Sequence, residues 1–334
     1  MKPGVYKGLG RYAYDQIQAV NWSSLKHVLQ SPAHARAAIE EREREVDRSA
    51  KQAFVDGDAI HACCLEPERW ESDYIRPPSV YKGRVEVRGS RGAWHVVHLD
   101  GAHQDQVFTT KSDAQRDALA WRIEGVSNRA YRTRDEAKSA VAEAYSGKTF
   151  VTAERQELAT GCRDSVLAHP IAGPALRSAL KGKTTELTCV WRDEMTGLLC
   201  KARLDAVSDV RGEPCVWDLK STRDARPESF CRDAGKFMYY GQFAYYAAAY
   251  EKACLQGGEK LPAYLRVGAV AVEKSKPYGV AVYFVGPKTW DAGDCLWKQA
   301  LHAWSRCEKS GDWPSYTQNE PHVLDIPSYY YGRL

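Results

Sequence analysis

The chain has 334 residues, 44% hydrophobic and 27% charged, which suits one large globular domain or two smaller ones. Its 47 basic and 43 acidic side chains leave a net charge of +4, so charge balance alone neither demands nor excludes a nucleic-acid partner. The start, Met1-Lys2-Pro3-Gly4-Val5-Tyr6-Lys7, lacks the apolar core of a signal peptide, and runs such as Val267 to Val272 are too short to span a bilayer, so a cytoplasmic protein with no membrane contact is expected.

In chain order, residues 1 to 20 read as irregular. A helix is expected from Asn21-Trp22-Ser23-Ser24-Leu25 with a serine as N-cap, and a second from Ser31-Pro32 towards Arg48, where the run Glu40 to Glu45 suits a solvated face. Gln52 to Leu65 reads as a helix stopped by Glu66-Pro67; Gly57 and His61 share one of its faces, and the glycine leaves room for something to approach. A lone helical histidine is more often a core residue than a ligand. A ββα insertion is expected within residues 84–125: a strand from Ala93 to Leu99, an Asp100-Gly101 turn, a strand Gln106 to Phe108, and a helix from Ser112 through Ile123. It is read as a surface decoration packed on Trp94 and Trp121, with an extra DNA or partner contact as the other reading.

Residues 129 to 146 begin basic and turn helical, Thr152 caps a helix to about Ala168, and a short helix reaches Leu180. An antiparallel meander follows: Glu186 to Arg192, Leu198 to Val207 and Cys215 to Lys220. Residues 226 to 255 read as a helical region, 264 to 273 and 278 to 285 as strands, and Pro287 to Lys309 as the last helix. The ten cysteines contain no Cys-x-x-Cys pair, which argues for buried thiols over a metal or disulfide framework. The whole, residues 1–334, reads as a single α/β domain with an N-terminal helical part and the insertion.

The chemistry centres on Leu198 to Lys220. Asp218 and Lys220 are two apart on a strand and point the same way, and the hairpin brings Asp205 back beside them. Asp-x-Lys is common, and a surface salt bridge is the plain alternative. Asp205, however, is embedded in an apolar strand, and Asp218 follows Cys215-Val216-Trp217; charges in such runs need a reason. Phosphodiester hydrolysis would use Asp205 and Asp218 as ligands for one or two Mg²⁺ ions, with the backbone carbonyl of Leu219 between them and Lys220 polarising the attacking water. Glu186 is a candidate for a further metal or water contact, and His61 could reach the metal or a phosphate. Gln242 and Tyr246, four apart on a helix, are read as facing this centre.

These segments resemble the PD-(D/E)XK nuclease superfamily, and within it the RecE-like exonucleases related to lambda exonuclease. The resemblance is carried by Ser24-Leu25 through Ser31-Pro32-Ala33-His34, Gly57-x-x-x-His61 with Leu65-Glu66-Pro67, Lys201-Ala202-Arg203-Leu204-Asp205, Asp218-Leu219-Lys220-Ser221-Thr222, Gln242-x-x-x-Tyr246, and Val272-Glu273 with Pro277-Tyr278. It covers roughly residues 20 to 75 and 130 to 330. It implies a restriction-endonuclease-like core, a central mixed sheet flanked by helices. It also implies a Mg²⁺-dependent exonuclease, Mn²⁺ substituting, that degrades double-stranded DNA ends from 5′ to 3′ and leaves 3′ single-stranded overhangs for phage recombination. The implied setting is the bacterial host cytoplasm. The implied partners are a single-strand annealing protein of the RecT or beta type and further copies of the chain in a ring, trimer or tetramer.

Carried over by position, Lys220, Asp205, Asp218, Glu186 and His61 are catalytic. Asp205, Asp218, the Leu219 carbonyl, Glu186 and His61 are metal ligands. Gln242, Tyr246 and Arg203 support the site, and Arg84, Arg88, Arg91 and Arg132 are expected phosphate contacts. Leu204 stands where the superfamily has proline, and the insertion lies outside the pattern. An endonuclease on the same core and a non-catalytic DNA-binding protein are the alternatives.

Overall fold

Alternating runs in the second half of the chain build a six-stranded mixed sheet in the computed structural model of the protein, which describes all residues except 44–51, 83–84, 91–92, 99–105, 119, 124–130, 211, 261–263, 317–320, 322 and 326–334. Its strands, in chain order, are β1 (Gly4–Tyr6), β2 (Thr185–Arg192), β3 (Leu199–Val210), β4 (Glu213–Thr222), β5 (Arg266–Glu273) and β6 (Val280–Phe284), which also lie side by side in that order. The pairs are antiparallel except β4 with β5, which run parallel because helices carry the chain across between them. The central strands are buried; β5 is near-continuously apolar, as a strand covered on both faces tends to be, whereas β3 alternates apolar residues with the buried charges Lys201, Arg203 and Asp205.

One detail of register shapes the molecule. β3 and β4 pair from Val210–Glu213 to Ala206–Trp217, and the ladder ends there. β4 runs on to Thr222 beside β5, while the first half of β3 stays beside β2. The sheet therefore forks. Val20 bridges the free edge of β3: its N–H donates to Leu199 O at 2.9 Å, and Lys201 N–H donates to its carbonyl at 2.7 Å.

The helices that frame the fork are α1 (Gln52–Leu65), α2 (Ala172–Gly182), α3 (Pro227–Lys236), α4 (Tyr239–Gly257) and α5 (Pro287–Ser310). The main core joins Trp22, Leu25, Trp191, Tyr245, Trp297 and Leu301, all buried, and each contributes about 1.5–3 kcal/mol through the area it hides from water. α4 and α5 approach closely because both carry glycine at the crossing: a Cβ on Gly293 would lie 2.2 Å from the Tyr240 carbonyl.

The chain divides into two compact units, Met1–Glu66 with Leu158–Leu334, and Pro67–Glu157. The second contains a three-stranded antiparallel sheet (Val85–Ser90, Ala93–His98, Gln106–Phe108), a helix (Lys111–Ala118) and a ladder between Val80–Lys82 and Trp121–Ile123. The helix expected through Ile123 thus stops at Ala118. Trp121–Ile123 is a strand, pinned by buried Arg122, which donates to the Asp117 carboxylate at 2.7 Å and to the carbonyls of Asp117 and Ala120. The Asp100-Gly101 turn lies outside the described residues.

Other expectations are corrected in detail. Residues 1 to 20 contain β1 and a short helix, Arg11–Asp15. The N-cap of the Trp22–Leu25 helix is Asn21, whose Oδ1 accepts from Ser24 N–H at 2.9 Å, and not a serine. The 226-to-255 region is two helices because Met238 sits in the left-handed region at φ 56°. Eight of the ten cysteines are buried and all are free; Cys231 and Cys295 are exposed. Among the described residues no helix is long and apolar enough to cross a membrane.

Candidate metal centre and groove

The fork places the acidic residues. Continuing the β2–β3 register by one step sets Glu186 opposite Asp205, and continuing the β3–β4 register sets Asp218 opposite Asp205. The result is a row of three carboxylates across adjacent strands. Like charges directly opposite one another destabilise a sheet, and the row departs from regular pairing. The β2–β3 ladder skips the Glu186–Asp205 position, and Glu186 takes φ 49°, a left-handed conformation that costs a non-glycine residue about 1–3 kcal/mol. Asp205 Oδ2 accepts a hydrogen bond from Leu219 N–H at 2.7 Å. A residue's N–H and C=O leave a strand on the same edge, so the Leu219 carbonyl also leaves β4 on the Asp205 side.

From α1, His61 Nδ1 lies 3.8 Å from Asp205 Oδ2. One potential ligand atom each from His61, Glu186 and Asp205 lie within 4.8 Å of one another. Asp218 stands outside that close group. It is 1% exposed, its Oδ2 is ion-paired with Lys220 Nζ, and its Oδ1 has no hydrogen-bond partner among the described residues. A buried carboxylate oxygen left over in this way, beside three donors that converge, fits a divalent cation. What approaches Gly57 is β4: a Cβ there would meet Ser221 Oγ at 3.7 Å, an ordinary contact.

The electrostatics agree with a site built for extra positive charge. Burial, added to by the neighbouring Asp205, pushes the Glu186 carboxyl up to about 7 against the pull of Arg203 and His61. Burial likewise raises Asp218, although Lys220 opposes it. Burial works to lower the Lys220 ammonium, and Asp218 and Asp205 together overcome it, so its net shift is upward and it stays protonated.

Of the supporting residues, Gln242 Nε2 donates to Tyr246 Oη at 2.9 Å, and burial, with Asp205 and Asp218 as the next causes, raises the Tyr246 phenol. Both line a groove of about 1010 Å³ whose walls include Lys201 and Ala202 from β3 and Ser221 and Thr222 from β4. Arg223, Lys236 and Lys274 add positive charge to it. Arg203 is not placed to touch a phosphate: it is buried, with Nε 2.8 Å from Glu186 Oε2 and a terminal nitrogen donating to Glu66 Oε1 at 3.0 Å. Arg88 and Arg132 are exposed in the Pro67–Glu157 unit, while Arg84 and Arg91 lie outside the described residues.

Two residues at the site went unread in the sequence. The Tyr239 ring covers the Lys220 ammonium at 4.9 Å to its centroid. Its spacing to Gln242 and Tyr246, three and then four residues along one helix, was the available signal. Glu66, read as a helix stop and as part of the Leu65-Glu66-Pro67 motif but given no role at the site, holds Arg203.

A family model described as "PDDEXK-like domain of unknown function (DUF3799)" matches residues 21–320. No curated protein matches the chain. Among solved structures, the crystal structure of a candidate exonuclease from Eubacterium rectale is similar at a TM-score of 0.48 and 12% identity, covering 98% of this chain and 99% of that one.

Proposed function

Because the chain belongs to the family of PDDEXK-like domains (DUF3799), we propose that it is a metal-dependent deoxyribonuclease that hydrolyses double-stranded DNA from its ends. The observation that carries this reading is the row Glu186, Asp205 and Asp218 at the sheet fork, with Lys220 ion-paired to the last of them and an orphaned Asp218 oxygen beside it. Oxygen donors with a single imidazole suit Mg²⁺ or Mn²⁺, and Asp205, Asp218, Glu186, His61 and the Leu219 carbonyl are the groups that would hold one or two such ions. When bound, the cation offsets negative charge at the phosphoryl oxygens and makes water a stronger nucleophile.

The chain's own groups do the rest. The protonated Lys220, held between Asp218 and the Tyr239 ring, donates to the attacking water or to the oxygen on which charge develops. Water oxygen bonds to phosphorus, the bond from phosphorus to the leaving oxygen breaks, and the leaving oxygen takes a proton. Gln242 and Tyr246 hold the wall of the groove along which a strand would lie, and Arg223, Lys236 and Lys274 meet phosphates. A 5′-to-3′ direction, 3′ overhangs for recombination, a ring of copies and a single-strand annealing partner complete the proposal by resemblance to RecE-like exonucleases.

A linear duplex labelled at its 5′ or its 3′ end, incubated with Mg²⁺ beside a covalently closed circle, tests it. The linear duplex is expected to lose the 5′ label first while the circle survives; a cut circle would make the protein an endonuclease.

A further inference from the structure

Glu66 closes α1 and points its carboxylate at a neighbour that itself never leaves the protein interior. Arg203 is 7% exposed at its side chain, and it spans two carboxylates: a terminal nitrogen donates to Glu66 Oε1 at 3.0 Å, and Nε is ion-paired with Glu186 Oε2 at 2.8 Å without a hydrogen bond between them. A guanidinium can do this because its charge is spread over a rigid planar group wide enough to face two carboxylates, which a compact ammonium is not. Glu186 needs such a hold. Its backbone is in a left-handed conformation, and its carboxylate faces Asp205 across the ladder, with like charge on both. One of its oxygens is engaged by Arg203, and the residue still offers a ligand atom to the group it forms with His61 and Asp205.

We infer that Glu66 is a positioning residue of the metal centre: it fixes Arg203, and Arg203 fixes Glu186 with one oxygen turned to the cation. The inference rests on the metal-centre reading above and adds to it an outer partner contributed by the helix that also carries His61. α1 would thus hold the site twice, directly through His61 and indirectly through Glu66. Partners that orient a ligating carboxylate are worth about 10- to 100-fold in metal affinity.

Mn²⁺ titrated into the full-length protein by calorimetry tests this without reference to activity. Glu66→Gln keeps the shape and removes the charge, and is expected to weaken Mn²⁺ about tenfold or more. In a Glu186→Gln background the same change is expected to do nothing further, because Glu66 acts only through Glu186. An unchanged affinity in Glu66→Gln overturns the inference, and so does an equal loss in both backgrounds. Glu186→Gln alone separates the two readings: if it binds Mn²⁺ like the parent, the metal-centre assignment itself fails. Should Glu66→Gln not fold, Arg203→Lys examines the same link. It keeps a charge beside Glu186 but cannot span both carboxylates, and the same loss is expected; parental affinity would overturn the inference.

Discussion

At the scale of single residues, the site is a cluster of carboxylates held close at an energetic cost. Glu186 illustrates the sign of that cost. Its carboxyl is pushed up to about 7 from an ordinary value of 4.5, chiefly by burial, so the folded chain keeps its proton more tightly than the unfolded chain. The stability this provides is complete below the ordinary value and is lost as pH rises through about 7. Asp218 shifts in the same direction. A divalent ion replaces those protons, so the rise in melting temperature produced by Mn²⁺ should be small at pH 5 and large at pH 8. A rise of equal size at both would contradict the assignment of these carboxylates as ligands.

Tyr239 makes a second residue-level prediction. A ring face over an ammonium is worth about 0.5–2 kcal/mol, so Tyr239→Leu should lower kcat about tenfold, while Tyr239→Phe, which keeps the face, should stay near the parent. Equal losses in Leu and Phe variants would assign the effect to the hydroxyl instead.

At the scale of elements, the fold rests on how closely α4 and α5 pack. A methyl on Gly293 would strike the Tyr240 carbonyl at 2.2 Å, and backbone cannot step aside. Gly293→Ala should therefore cost about 1–3 kcal/mol in urea unfolding, whereas Gly286→Ala, which meets nothing within 4 Å, should cost far less. Similar midpoints for the two would refute the packing argument.

The elements were also where sequence reading worked best and where its limits show. The helix Gln52–Leu65 and the strands around Asp205 and Asp218 are written in apolar periodicity, and Asp218 stood out because a charge interrupts Cys215-Val216-Trp217. Five residues on each strand, 206–210 and 213–217, pair across the hairpin, and this equal spacing brings the two acids together. The break at Met238 was not legible, since nothing in a methionine announces a positive φ. Nor was the strand at Gly4–Tyr6, which exists only because β2 offers it an edge. The fork itself is a register property: no local pattern states that the β3–β4 ladder ends at Ala206–Trp217. The second role of Arg203 was hidden for the same reason, because Glu66 meets it only through the fold across 137 residues of sequence.

At the scale of the whole molecule, a net charge of +4 is too small to hold DNA by itself, and binding has to come from local clusters. The groove, where Arg223, Lys236 and Lys274 stand beside Asp224 and Asp233, is proposed as one, and the exposed Arg88 and Arg132 of the Pro67–Glu157 unit as another. If both arginines meet phosphates, replacing the pair with alanine should reduce the slope of log affinity against log salt by about 2, measured on a linear duplex. An unchanged slope would confine DNA to the first unit. The central claim, that the fork is the place where DNA is cut, is tested most directly by Mg²⁺-dependent release of nucleotides from a linear duplex by Asp218→Asn and Lys220→Ala, each first shown to be folded by its melting transition. Both variants should lose activity by at least about a hundredfold, as removal of a group that stabilises developing charge does, while chelation of the metal silences the parent. Retention of parental activity in either variant would contradict that claim.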